Sequence, residues 1–254
     1  MNNHIKTMNR HLISLLFFFS FFTTPVLAEF QPKPYTAVYS VSKAGIPVGE
    51  TTVTLAKDTT GNWVYTSFTK TTGMAAMFLD DTVTEQTIFR IKDQKVQTLE
   101  YSYTHSGKPR KNRKLVFDWK TMTAQEKVAE QKWKLNLDSN TLDKHVYRYA
   151  LMMDLENRYE NIYYNITDDS KIEPYHFTQQ DIVEMDTSFG KLNAQKVLME
   201  RDNKTSIQFW CAKELGYLPV RVEKDSEKNG NLTMKLISVS GEYFSAQYQP
   251  LQEK

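Results

Sequence analysis

Apolar and polar residues alternate along most of this chain with a period of two, the signature of strands that bury one face. Tyr35, Ala37, Tyr39 and Val41 alternate with Thr36, Val38, Ser40 and Ser42, and Leu99, Tyr101 and Tyr103 alternate with Glu100, Ser102 and Thr104. Trp133, Leu135 and Leu137 alternate with Lys132, Lys134 and Asn136; Leu218, Val220 and Val222 alternate with Pro219, Arg221 and Glu223. The pattern predicts further strands over 48–57, 63–70, 83–92, 114–119, 162–167, 181–187, 191–201, 205–212 and 231–240. Turn residues fall between them at 45–49, 59–62, 106–109, 188–190 and 228–231. Strands this close in sequence pair antiparallel, because parallel pairing needs crossover helices that the pattern does not supply.

One segment departs from that period. Leu142, Val146, Tyr149, Ala150 and Met153 recur at helical spacing. They predict an amphipathic helix over 141–158, from Thr141 to Arg158, with Ser139-Asn140-Thr141 offering a choice of N-caps. A shorter helical turn is expected over 74–79. A dozen or so strands cannot stay flat, so the fold expected is mainly β. It is a single curved antiparallel sheet closing into a half or full barrel, with the one helix packed on it.

The first 28 residues read differently again. Lys6 and Arg10 precede an apolar run, 12–22, broken only by Ser14 and Ser20, and Pro25 and Val26-Leu27-Ala28 follow. That order is the one a secretory signal peptide has, with cleavage expected before Glu29. The apolar run is too short to span a bilayer, and no later stretch approaches spanning length. The expected organisation is a signal peptide, 1–28, then one β-rich domain over 29–254 with a short polar C-terminal tail. The expected location is the periplasm, and Cys211, the single cysteine, allows no internal disulfide. The leader takes two basic residues with it, leaving 30 basic against 30 acidic, a balance that argues against nucleic acid as a partner.

Chemical signatures are sparse. No G-x-S-x-G elbow, Walker-type glycine loop or H-E-x-x-H helix occurs, so no catalytic residue, metal ligand or cofactor is assigned. His105, His145 and His176 lie in different elements without ligand partners at metal spacing. Cys211 alternates in phase with Ile207 and Phe209, which makes it a small buried hydrophobe rather than a nucleophile. Asp168-Asp169 reads as a pair of solvated loop acids. Lys108, Arg110, Lys111, Arg113 and Lys114 cluster at one turn, as candidates for contact with an anion or a lipid headgroup. Tyr101, Tyr103 and His105 share one strand face, and with Val146, Tyr149 and Met153 of the helix they are the candidates for lining a ligand cavity or its lid.

Tyr39 followed by Gly45-Ile46-Pro47-Val48-Gly49, then Phe117-Asp118-Trp119, Leu142-Asp143, Phe209-Trp210 and Leu218-Pro219-Val220-Arg221, resembles in order and spacing the exported bacterial family called domain of unknown function 3108. The resemblance implies an envelope protein with a curved antiparallel sheet, and brings no activity with it. In architecture alone, the expected shape is also similar to the periplasmic half-barrels that shelter acyl chains under a helical lid. The expected function is therefore non-catalytic: binding of a lipid or another apolar ligand, or support of envelope assembly. Two alternatives stay open, a hydrolase-type site formed only in three dimensions and a structural partner of an outer-membrane assembly.

Overall fold

The computed structural model describes residues 32–77, 81–201, 205–225 and 230–241; the leader and the C-terminal tail lie outside them. Fifteen strands form one sheet: β1 (Tyr35–Lys43), β2 (Ile46–Lys57), β3 (Trp63–Thr71), β4 (Thr82–Lys92), β5 (Lys95–His105), β6 (Arg113–Asp118), β7 (Thr123–Val128) and β8 (Gln131–Asn136), then β9 (Thr141–Asp143), β10 (Ile162–Asp168), β11 (Lys171–Thr187), β12 (Gly190–Arg201), β13 (Thr205–Ala212), β14 (Leu218–Lys224) and β15 (Leu232–Gly241). The spatial order is β8 through β1, then β15 back through β9. Each strand thus lies beside its neighbour in sequence, except that β1 joins β15 and that no ladder links β8 to β9. The fold is β-barrel-like but not closed.

The expected alternation is the burial pattern found. In β1, Tyr35, Ala37, Tyr39 and Val41 are buried and the residues between them are not. Bulges reset the phase in several strands. On β5 the pairing shifts between Phe89–Thr98 and Ile88–Glu100, so Thr98 and Tyr101, three residues apart, both point inward. Pairing is antiparallel throughout with one exception, the short parallel contact of β9 with β10.

The helix, α1 (Tyr147–Glu156), is shorter than the pattern predicts. The first stretch of the predicted helix is β9 instead, because Leu142 and its neighbours pair with Asn165, Ile166 and Thr167. Asp143 then turns the chain into α1, its carboxylate accepting the backbone N–H groups of His145 and Val146 at 2.9 and 3.0 Å. None of Ser139, Asn140 and Thr141 caps α1, whose N-cap position is Val146. Seven of the ten helical residues are buried, Tyr147, Leu151, Met152 and Leu155 among them, so the helix is enclosed on most sides rather than along one stripe. It fills the barrel interior in one core with Tyr35, Tyr65, Phe89, Phe177 and Phe209. A second, smaller core of Tyr101, Leu115, Phe117 and Ala124 lies under β6–β8.

The shorter turn appears as a 3-10 turn, Gly73–Met77; the rest of the expected 74–79 segment lies outside the described residues. Strand directions put the turns at 44–45, 106–112 and 169–170 on one rim with the start of α1, and those at 58–62, 93–94 and 213–217 on the other with its end. These are called the first and second rims.

Candidate functional site

The inward rows of several strands run apolar until the first rim and end there in charge. Ile162, Tyr164 and Ile166 lead to Asp168; Val197 and Met199 lead to Arg201; Val222 leads to Lys224; on β4, Thr87 leads to Glu85. With Lys144 and Arg148 from the start of α1, these side chains line a cavity of about 190 Å³. Asp168 is not a solvated loop acid: it bonds Arg201 at 2.7 Å and Lys144 at 3.6 Å, while Asp169 beside it faces solvent. Glu85 accepts the Tyr101 hydroxyl at 2.7 Å. Burial opposes the charge on Glu85, while Arg148, that hydroxyl and Lys144 favour it, and its pKa lies below the ordinary value. Burial, then the Glu85 charge, pushes the Tyr101 phenol well up, so it stays a donor.

Behind this cavity lies a polar knot in the core. Asp143 accepts the hydroxyls of Thr87 and Thr98, both at 2.9 Å. His145 Nδ1 lies 3.2 Å from the Thr87 hydroxyl, whose one proton goes to the carboxylate, so Nδ1 carries the imidazole proton. Nε2 is buried with no hydrogen-bond partner, and burial lowers the His145 pKa to about 4, leaving a neutral ring packed at a tilt against Tyr65, 4.6 Å between centroids. Burial raises the pKa of Asp143 despite its four hydrogen bonds.

At the second rim a cavity of about 260 Å³ opens between α1 and the β4–β5 turn. Asp154 lines it and accepts the Tyr164 hydroxyl at 2.6 Å. Burial lifts the Asp154 pKa to about 6, against the hydrogen bond and the Lys95 charge. That carboxylate can exchange a proton near neutral pH.

The residues expected to line a ligand cavity are scattered by the fold. Val146 and Tyr149 are fully enclosed in the core, and of the six only Met153 lines the second-rim cavity. Tyr101 reaches the first-rim cavity through Glu85, and Tyr103 through Lys144, whose ammonium sits 5.2 Å above its ring. His105 stands aside, 3.8 Å from Asp81. The basic cluster divides. Arg113 is held by Glu126 and Asp169, and Lys114 by Glu100 at 2.7 Å. Lys108, Arg110 and Lys111 are exposed on a 3-10 turn, with no carboxylate within 4 Å among the described residues. Cys211 is wholly buried, and burial raises its thiol pKa far above the ordinary value, so the thiolate is suppressed. Among the described residues no three His, Cys, Asp or Glu side chains group as metal ligands, and no helix is long and apolar enough to cross a membrane.

The sequence matches the profile of DUF3108, a protein family of unknown function, over residues 35–237. The chain belongs to that family. The match begins with β1 and ends within β15, so the family profile spans the sheet from its first strand to its last. No curated protein matches the sequence. Among solved structures, the chain is similar to a beta-barrel-like protein of domain of unknown function DUF1849 from Brucella abortus. The TM-score is 0.57 at 11% identity, covering 84% of this chain and 99% of that one. At that identity the likeness is one of fold.

Proposed function

We propose that this chain is an exported, non-catalytic envelope protein that works at an anionic lipid surface, contacting it through the first rim. The observation that carries the reading is the pairing of exposed apolar side chains with unpaired basic ones on that rim. Ile46, Met74 and Met77 are 66%, 77% and 80% exposed. The 3-10 turn holding the two methionines is tied to β2 by Thr72, whose N–H donates to the Val48 carbonyl. The Lys108–Lys111 turn is tied to the same region: Ser106 exchanges hydrogen bonds with Thr82, and a Cβ on Gly107 would collide with Asp81. Apolar side chains that enter the headgroup layer, flanked by lysine and arginine, are how a protein lies on a bilayer without crossing it. The charged leader and its apolar run support export. The helix-filled interior favours contact with a lipid surface over shelter of an acyl chain.

The test is sedimentation with vesicles. The chain without its first 28 residues should pellet with phosphatidylglycerol vesicles and not with phosphatidylcholine vesicles. Each basic side chain near an anionic surface contributes about 1 kcal/mol, so Lys108→Gln, Arg110→Gln and Lys111→Gln together should weaken binding by about a hundredfold. Equal pelleting with both vesicles, or indifference to the triple change, would overturn the reading.

A further inference from the structure

We propose that the first-rim cavity is a binding site for a phosphoryl group, free or carried on a lipid headgroup. Four cations line it, Lys144, Arg148, Arg201 and Lys224, against two carboxylates, Glu85 and Asp168. Both carboxylates are already engaged. Asp168 is shared between Lys144 and Arg201, and Glu85 takes the Tyr101 hydroxyl. Arg201 is further bonded to Glu173 at 2.5 Å, so its charge is met.

Arg148 is different. One of its terminal nitrogens donates to the carbonyls of Lys144 and His145, at 3.3 and 3.4 Å, and its guanidinium lies 4.8 Å from the Tyr147 ring centre. No carboxylate stands within 4 Å of it among the described residues, and the same holds for Lys224 across the cavity. Arg148 is also the second residue of α1, where the helix dipole is positive and disfavours a cation. Arg148 feels the Glu85 charge only from beyond ion-pair distance, so its guanidinium keeps donor capacity directed at the cavity it lines.

Charge and polarity set the class of occupant. The cavity, about 190 Å³, is lined mostly by charged side chains. A small tetrahedral oxyanion matches such a lining, and an acyl chain finds little apolar wall there. The guanidinium fork donates two parallel hydrogen bonds to such a group, and the ammonium groups of Lys144 and Lys224 add point charge at either side. The assignment stands apart from the membrane reading, since it uses none of Ile46, Met74, Met77 or the Lys108–Lys111 turn.

The test is calorimetric titration of the chain without its leader at low salt. One arm uses inorganic phosphate, the other dihexanoylphosphatidylglycerol below its micelle concentration. Saturable binding in the phosphate arm identifies a free phosphoryl ligand, and binding confined to the second arm identifies a headgroup. Arg148→Gln should weaken whichever binding occurs at least tenfold, while the ligand-free protein still unfolds in one cooperative transition. Should that variant fail to fold, Lys224→Gln, at the exposed mouth, should still weaken binding several-fold. The triple change at Lys108, Arg110 and Lys111 should leave phosphate binding untouched, which separates this site from the rim. No saturable heat in either arm, or binding by the folded variants that equals the wild type's, would overturn the proposal.

Discussion

The Asp143 carboxylate on β9 accepts the Thr98 hydroxyl of β5 at 2.9 Å, across a line where the sheet has no ladder. With Thr87 of β4 on its other oxygen, Asp143 joins the two parts of the rolled sheet through side chains alone. The same carboxylate holds the turn into α1. One buried group therefore fixes both the seam and the helix that fills the barrel.

Removing it should be costly. Asp143→Ala leaves two buried hydroxyls and two backbone N–H groups without their acceptor, and each orphaned group costs about 1–3 kcal/mol. The expected loss is roughly 4 kcal/mol or more in a urea unfolding experiment. A loss under 1 kcal/mol would mean that the seam is held by other contacts.

His145 sets an acid limb on stability. Its pKa falls from 6.5 to about 4 on folding, so between those values the unfolded chain binds the extra proton. Its contribution is whole above pH 6.5, shrinks as the pH falls toward 4, and is constant below. His145→Phe keeps a ring against Tyr65 and cannot titrate. The stability of the wild type relative to this variant should therefore drop by about 3 kcal/mol from pH 7 to pH 4. A difference that stays flat across that window would show that the ring is solvated.

Asp154 acts in the opposite sense. Its pKa rises from 3.8 to about 6 on folding, so the folded chain holds the proton longer and stability falls as the pH climbs through that interval. Asp154→Asn can still accept the Tyr164 hydroxyl and carries no charge to bury. It should be more stable than the wild type at pH 7.5 by about 3 kcal/mol and indistinguishable from it near pH 3.5. Melting curves at the two pH values check this, and a variant less stable at both would refute it.

Cys211→Ala should trim a small buried group at a cost of about 1 kcal/mol and leave vesicle and phosphate binding alone. The residue packs beside Phe209 and Ala212 in the core. Loss of either binding with an unchanged melting temperature would give the thiol a role that its burial denies.

Most strands and their antiparallel pairing were legible in the chain, because a one-sided sheet writes its burial into every second residue; β7, β9 and the 171–180 part of β11 were not, and the helix was read too long. Tyr35 to Val41 show it plainly. What period alone could not give was the count of residues between inward positions where a bulge intervenes. Thr98 is buried because of one such bulge, and its bond to Asp143 was invisible for that reason. The helix looked one-sided because Leu151, Met152 and Leu155 fall off the stripe, yet a helix inside a barrel has walls all round. The charged cavity did leave a signal. Glu85, Asp168, Arg201 and Lys224 each occupy the inward phase of their strand, where a charge has no business unless it meets another. That they converge depends on how the sheet is rolled, which no single strand records.

The junction of β1 with β15 has a bearing on how the chain is born. Tyr35 pairs with Gly241, so the first strand waits for the last before either has its central neighbour. Contacts between such distant parts of a chain form late and slowly. A polypeptide fed N-terminus first through a narrow translocation pore would emerge without its closing strand until the end of passage. A chain emerging in that order would complete its roll only once β15 is free to pair with β1.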